Sequence, residues 1–210
     1  MIVKVCGMRD PGNIRAVERE TAPDWMGFIC WTGSKRFIAD TPAYMPGAPV
    51  KRVGVFVRPT IQDVCTYTER LQLDLIQLHG GEDISFCRKV KAAAQRPIVK
   101  AFSISRVDDI AVASAFSDAD VADYLLFDTR TPLVGGSGKH FDWNMLQAYV
   151  GHTPFLLSGG ISPADIPSLR QFTHPRWTGI DLNSRFETAP AMKDVAELKQ
   201  FIQAIRNNYE

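Results

Sequence analysis

Two residues with acid–base side chains each follow a short apolar run of the sequence. Cys6 ends the run IVKVC and precedes a glycine, and Asp128 follows the run YLLF. A thiolate can remove a proton while a carboxylic acid supplies one, and this pairing suits an isomerase that moves protons within its substrate. If both runs are strands ending at one mouth of a barrel, we expect the substrate to lie between Cys6 and Asp128.

Both residues also have a structural interpretation. A single buried cysteine most often packs in the core, and we expect this for Cys30, Cys65 and Cys87. Cys6 differs from them because it directly precedes a glycine at a predicted strand end. Asp128 can instead cap the turn that follows it.

Two later strand ends have the features of a phosphate site. Gly159 and Gly160 follow the run PFLLS, and the next helix is predicted to begin with Ser162 as its N-cap. Asn183 and Ser184 follow the run WTGIDL, where a second short helical turn is expected. Glycines allow close backbone approach, and N–H groups at helix starts bind anions. Two such places on adjacent strands predict a phosphate between them.

Three more polar residues lie at or just after predicted strand ends. The guanidinium of Arg36 can hold a carboxylate in a bidentate way, although a surface salt bridge explains it equally well. His79 and Asp181 are expected to line a substrate pocket. For His79 a purely structural role is the alternative.

The elements that would position these residues recur along the chain. Eight strand-length apolar runs alternate with helix-like stretches, which predicts a (β/α)8 TIM barrel in a single α/β domain covering residues 1–210. An open doubly wound sheet has the same rhythm, but it often carries a G-x-G-x-x-G turn, and CGMRDPG lacks that pattern. The eight runs cover residues 2–6, 25–30, 52–57, 73–78, 97–102, 124–127, 154–158 and 177–182.

Composition excludes several classes of protein. The formal net charge of +1 indicates no nucleic-acid partner, and no apolar run approaches the length that crosses a membrane. The start MIVKVCGMRD lacks the pattern of a secretory signal. Four scattered cysteines, with no C-x-x-C pair and no zinc spacing, suggest reduced thiols in a cytoplasmic protein without a metal site.

Several motifs in order resemble the phosphoribosylanthranilate isomerase family of tryptophan biosynthesis. They are KVCGMRD, GFIC followed by SKRFI, VGVFV, IQLHGGED, LFDT followed by GGSGKHFDW, LSGGI, and GIDLNSRFE. The resemblance covers nearly the whole chain. It implies a TIM barrel that converts N-(5-phosphoribosyl)anthranilate, an aminoaldose, to an aminoketose by an Amadori rearrangement.

The resemblance also implies roles for individual residues. Cys6 is expected to be the general base and Asp128 the general acid, while Arg36 would hold the anthranilate carboxylate. Because a free thiol is largely protonated at neutral pH, Cys6 needs a tuned pKa or acts from a minor thiolate fraction. The phosphate would lie at Gly159, Gly160, Asn183 and Ser184, and a lid loop would include Gly135, Gly136, Ser137 and Gly138.

The family pattern implies no metal and no organic cofactor, and a phosphorylated small molecule as the partner. We expect a monomer, although some members of the family are dimers or are fused to the next enzyme of the pathway. Two places depart from the family pattern. Lys35 replaces a proline, and Asn183-Ser184-Arg185 stands where many members have Ser-Ser-Gly. We expect Arg185 to point to solvent; a charged contact with the phosphate is the alternative.

Other phosphate-binding barrels remain alternatives. Indole-3-glycerol-phosphate synthase would need a lysine and glutamates at strand ends, and a histidine-pathway isomerase would need an aspartate where Cys6 stands. A non-catalytic barrel that binds a sugar phosphate would need the phosphate loops but not the pair of Cys6 and Asp128.

Overall fold

The computed structural model describes residues 1–129 and 143–207. Within them, eight parallel strands close into a barrel, each pairing with the next in sequence and the last with the first. The predicted (β/α)8 barrel in a single domain is therefore confirmed. The strands are β1 (Ile2–Val5), β2 (Trp25–Ile29), β3 (Lys51–Phe56), β4 (Leu75–Leu78), β5 (Ile98–Ile104), β6 (Tyr124–Thr129), β7 (Phe155–Ser158) and β8 (Trp177–Leu182).

Helices connect most of the strands, and the segment after β2 is an exception. Residues 30–50, between β2 and β3, contain no helix, and the prolines at 42, 46 and 49 explain why, since proline breaks helices from within. The helices are α1 (Pro11–Thr21), α2 (Ile61–Leu71), α3 (Ile84–Ala94), α4 (Val107–Asp118), α5 (Ile166–Gln171) and α6 (Val195–Arg206). Short 3₁₀ helices cover Trp143–Ala148, Pro163–Asp165 and Ser184–Phe186.

Side chains of the sequence fix where helices begin. Asp10 accepts a hydrogen bond from the backbone N–H of Asn13 at 2.8 Å, and Pro11 occupies the first position of α1. Thr60 and Asp63 form a reciprocal capping box at the start of α2. These caps stabilise the first turns of α1 and α2.

The period-two pattern of the strands divides the core into two parts. Outward residues of the strands pack with the helices in one large apolar cluster. Inward residues form a second, smaller cluster that fills the barrel: Trp25, Val53, Leu75, Val99, Ala101, Leu126 and Leu156. Above it, towards the carboxyl ends of the strands, the inward positions become polar, and this end of the barrel is where chemistry is found in such folds.

A short hairpin between β8 and α6 was not predicted from the sequence. Its strands are β9 (Glu187–Ala189) and β10 (Met192–Lys193). The side-chain amide of Asn13 donates to the carbonyl of Lys193 and accepts from its N–H, both at 2.9 Å, which fastens the hairpin to α1. In the part of the chain that the structure describes, no helix is both long and apolar enough to cross a membrane.

Candidate active site

Cys6 lies one residue beyond β1, on the inward face of the barrel. Ile2 of the same strand packs against the inner cluster, so Lys4 and Cys6 at successive steps of two also face inward. The thiol is free and the residue only 4% exposed. Gly27 on β2 makes room for it, because a Cβ at that position would lie 2.7 Å from the sulfur. Cys6 therefore lies at the barrel mouth, and the glycine at position 27 leaves space for its side chain.

Lys4 is completely buried and forms an ion pair with Asp181 of β8, with 2.9 Å between Nζ and Oδ1. The hydroxyl of Ser158 on β7 donates to the other carboxylate oxygen of Asp181 at 3.3 Å. Asp181 was expected to line the substrate pocket. In the structure both of its oxygens are bound by protein groups at the base of the mouth, so it also holds Lys4 in place.

Burial and these charges act on Cys6 in opposite directions. Burial raises the pKa of the Cys6 thiol most, Lys4 lowers it, Asp181 raises it and Lys193 lowers it, and the result lies above the ordinary value. For Lys4, burial lowers the pKa, but Asp181 and Cys6 together bring it above its ordinary value, so the ammonium stays charged. Without substrate, Cys6 is therefore a protonated thiol beside the charged ammonium of Lys4.

Asp128 lies on β6, with two strands between it and β1. One of its carboxylate oxygens lies 3.3 Å from Nε2 of His79, which follows β4. The side-chain amide nitrogen of Gln77 lies 2.8 Å from Nδ1 of the same ring. When Gln77 donates to Nδ1, the ring proton is on Nε2 and points to Asp128. His79, predicted as a pocket residue, thus contacts the predicted acid.

Arg36 extends from the loop after β2 and forms a bidentate ion pair with Glu187 of the hairpin. Its Nε lies 2.8 and 3.0 Å from the two carboxylate oxygens, and Nη2 bonds to the same group. The aliphatic stem passes over Gly7, where a Cβ would lie 2.6 Å from Cδ of Arg36. Gly7 has a φ of 77°, so this residue next to Cys6 needs glycine for its backbone as well.

The predicted phosphate loops adjoin each other at the ends of β7 and β8. Gly159 and Gly160 have φ values of 103° and 78°, which favour glycine. Ser184 begins the expected short helical turn. The side-chain oxygen of Asn183 accepts from Lys193 at 2.8 Å, so this oxygen faces the hairpin. Arg185 is exposed as expected, but its Nε lies only 3.9 Å from the position of a Cβ on Gly160.

The structure thus brings all the described candidates to one mouth of the barrel. The predicted lid residues Gly135, Gly136, Ser137 and Gly138 lie outside the described residues. Among the residues that are described, no group of three or more His, Cys, Asp or Glu could hold a metal ion.

Sequence reasoning missed four residues of this mouth, namely Lys4, Gln77, Glu187 and Lys193. A lysine at an inward position of a buried strand was a usable signal for Lys4, because a buried charge needs a partner. Nothing in the local pattern could have placed the hairpin residues Glu187 and Lys193 beside Arg36.

A family model described as N-(5'-phosphoribosyl)anthranilate (PRA) isomerase matches residues 3–204. The chain belongs to this family. The resemblance inferred from the sequence is confirmed, and with it the class of enzyme, an isomerase of tryptophan biosynthesis.

Relatives of the PRA isomerase family match over nearly their whole length. An N-(5'-phosphoribosyl)anthranilate isomerase of Phocaeicola vulgatus is 48% identical over 210 residues. The alignment covers all of this chain and all of that relative. One of Parabacteroides distasonis is 45% identical over 98% of this chain and 93% of its own.

Solved structures of PRA isomerases agree with the fold. The enzyme of Thermotoga maritima superposes with a TM-score of 0.80 at 30% identity, over 99% of this chain and all of its own. A PRA isomerase in complex with reduced 1-(o-carboxyphenylamino)-1-deoxyribulose 5-phosphate gives a TM-score of 0.77 at 27% identity, with the same coverage.

Proposed function

We propose that the chain converts N-(5-phosphoribosyl)anthranilate to 1-(2-carboxyphenylamino)-1-deoxyribulose 5-phosphate, with Asp128 as general acid and Cys6 as general base. The observation that carries the proposal is the order of groups around the barrel mouth. Asp128 on β6 is followed by the glycine turn after β7, the short helical turn after β8, Cys6 after β1, and Arg36 after β2. A phosphate between acid and base strands and a cation beyond the base suit a substrate with a phosphate and a carboxylate at opposite ends.

The chemistry needs two proton transfers at well-separated atoms. Protonated Asp128 donates to the furanose ring oxygen, the bond from that oxygen to C1 breaks, and an iminium forms. Cys6 as thiolate removes the proton from C2, which gives an enolamine. The enolamine becomes the aminoketose when C1 takes a proton from solvent and the hydroxyl on C2 releases one to solvent, and exchange with solvent returns Cys6 to the thiolate and Asp128 to the acid. No atom is gained or lost overall, so the reaction is an isomerisation.

The contacts around each group support these roles. Nε2 of His79 lies 3.3 Å from Asp128, and with its proton on Nε2 the ring would stabilise the carboxylate that remains after Asp128 has donated its proton. Lys4 and Lys193 would stabilise the Cys6 thiolate against the effect of its burial. Arg36 presents a planar fork that matches a carboxylate.

The ligand of the solved relative, the reduced product analogue, supports a phosphorylated carboxyphenylamino sugar as the substrate of this chain. The monomeric state stays a prediction, since the relative of Thermotoga maritima is described as dimeric.

The test is a fluorescence assay in which phosphoribosylanthranilate is generated in place and the loss of its anthranilate-like emission is followed. Wild type should remove the signal quickly, while Cys6→Ala and Asp128→Asn should lose at least about 100-fold in kcat, the scale of general acid–base catalysis. Cys65→Ala on α2 and the exposed Asp108→Asn serve as matched controls and should keep wild-type rates.

Wild type that is well folded but leaves the emission unchanged would refute the activity. The histidine-pathway aminoaldose would then be assayed with the same preparation. Full activity of either active-site variant would remove that residue from the mechanism while leaving the reaction in place.

A further inference from the structure

The two members of the ion pair between Arg36 and Glu187 differ in exposure to solvent. This difference bears on which of them a substrate could contact. The Glu187 side chain is 5% exposed, while that of Arg36 is 22% exposed. The guanidinium of Arg36 is therefore the more accessible member of the pair, and the carboxylate of Glu187 is almost closed off from solvent.

Glu187 is bound by more than Arg36. Its Oε1 also accepts from the ammonium of Lys193 at 2.6 Å and from the backbone N–H of Ala191 at 3.2 Å. Burial raises the pKa of Glu187, but the hydrogen bonds and charges of Arg36 and Lys193 outweigh it and bring the pKa below its ordinary value. Glu187 is thus a fixed anion whose position is set by the hairpin itself.

A guanidinium has two edges that can each bind a carboxylate. Glu187 occupies the edge formed by Nε and Nη2. The edge formed by Nη1 and Nη2 bonds to no other residue of the ranges 1–129 and 143–207 among the hydrogen bonds found there. Because the guanidinium is planar, fixing one edge also fixes the direction of the other.

Lys193 adds a positive charge to the ion pair of Arg36 and Glu187. Arg36 and Glu187 alone form a neutral pair, which would attract an incoming carboxylate weakly. The Lys193 side chain is fully buried, and its Nζ donates to both Asn183 and Glu187. Burial lowers the pKa of Lys193, while the hydrogen bond and charge of Glu187 raise it. With Lys193 protonated, the three side chains carry one net positive charge, and Arg36 is the most exposed of them.

We propose that Glu187 is a positioning residue that holds Arg36 with its Nη1–Nη2 edge turned towards the carboxylate of the substrate, and that Lys193 preserves the positive charge of the group. This inference rests on the proposed function, in which Arg36 binds the anthranilate carboxylate. Glu187 would not touch the substrate, but it would set the affinity of the site for the carboxylate on the aromatic ring.

The first experiment compares Glu187→Gln with wild type on two substrates, phosphoribosylanthranilate and the phosphoribosylated aniline that lacks the carboxylate. Glutamine keeps the shape but cannot accept both Arg36 bonds as a charged fork. We expect KM for the carboxylated substrate to rise about tenfold with kcat within about threefold, since one charge-assisted contact is weakened. KM for the aniline analogue should stay within about twofold.

Glu20→Gln is the matched control, because Glu20 also accepts from an arginine and a lysine, Arg19 and Lys199, but lies on α1. It should change neither KM. If Glu187→Gln folds poorly, Glu187→Asp replaces it, since it keeps the charge and shifts the fork by one methylene; a smaller rise of the same KM is expected.

The effect of Glu187→Gln in a variant that lacks the Arg36 guanidinium separates a positioning role of Glu187 from general damage to the fold. In an Arg36→Lys background there is no fork to orient, so adding Glu187→Gln should change KM by less than about twofold. An equal effect in both backgrounds, or an equal loss on both substrates, would overturn the role of Glu187. Absence of isomerase activity in wild type would instead overturn the proposed function, so the two failures are distinguishable.

Discussion

Lys4 and Asp181 form a buried ion pair across the seam between β1 and β8, one inward position before Cys6. The two residues are also partners in the strand register, so closure of the barrel itself brings them together. Their charges would nearly cancel at a distance, but Lys4 acts on the Cys6 thiol more strongly than Asp181 does. The pair therefore favours the thiolate that the proposed mechanism needs.

Replacing Lys4 by methionine should change the pH dependence of the reaction. The base acts when deprotonated, so kcat/KM rises with pH up to the pKa of Cys6. Because Lys4 lowers that pKa, its loss should move this rise to higher pH and reduce the rate at pH 7 by at least about tenfold, the effect of one pKa unit. A pH–rate profile with the fluorescence assay measures the shift.

The same substitution leaves Asp181 buried without its partner, which costs about 3–5 kcal/mol of stability. The double variant Lys4→Met with Asp181→Asn should recover much of this in urea unfolding but stay slow at pH 7. Lys100→Met, which breaks the buried pair with Glu82, is the control and should lose stability without moving the profile. An unshifted profile for Lys4→Met would exclude Lys4 from tuning Cys6.

His79 should matter for turnover through its contact with Asp128. We expect His79→Ala to lower kcat by about tenfold, because the carboxylate left after proton donation loses an N–H donor. His79→Gln, which can place an amide near the position of Nε2, should retain more of kcat. His152→Ala removes a surface histidine that also pairs with an aspartate, Asp120, and should have no effect. Unchanged kcat in His79→Ala would leave His79 with a structural role only.

The barrel was predictable because its determinants are local. Each strand is a short apolar run, and the alternation of Lys4 and Cys6 with outward valines is visible in the sequence. The partner of Arg36 was not predictable, because Glu187 is 151 positions away and reaches it only through an irregular hairpin anchored on Asn13. Chain closure, not periodicity, creates that contact. The phosphate loops were predictable only in part. The sequence shows the glycines that follow the strands, but it does not show that the Asn183 side chain turns towards Lys193.

Arg185 replaces the glycine common in the family, and its contribution should be small and dependent on salt. It is exposed, yet its Nε lies 3.9 Å from where a Cβ on Gly160 would stand, close to the proposed phosphate site. An exposed charge contact is worth up to about 1 kcal/mol, so Arg185→Ala should raise KM by at most about fivefold at low ionic strength. The increase should vanish at high salt, where exposed charges are screened.

The measurement is KM at two salt concentrations for Arg185→Ala and for Arg88→Ala, an exposed arginine on α3. The Arg88 variant should match wild type at both. A rise in KM that persists at high salt would mean that Arg185 binds the phosphate directly.

Glu187 should make the stability of the fold depend on pH. Its pKa in the folded protein lies below the ordinary value of 4.5, so its ionised form stabilises the native state. That contribution is present above pH 4.5 and is lost as the pH falls through the lower folded pKa. The difference in unfolding free energy between wild type and Glu187→Gln, measured in urea, should therefore shrink on acidification. A difference that is constant from pH 7 to pH 3 would contradict this linkage.

Gly27 should be required for the placement of Cys6. A Cβ at this position would lie 2.7 Å from the Cys6 sulfur and 3.1 Å from its Cα, and the second atom is backbone that cannot swing aside. Gly27→Ala should therefore cost about 1–3 kcal/mol, as overpacking does in well-filled cores. It should also lower kcat by more than tenfold, because a displacement of about 1 Å at a reacting group can cost a factor near 100. Gly47→Ala is the control, since a Cβ there has no atom within 4 Å. Folded Gly27→Ala with wild-type kcat would show that the thiol does not need this position, and the role of Cys6 as base would lose its geometric support.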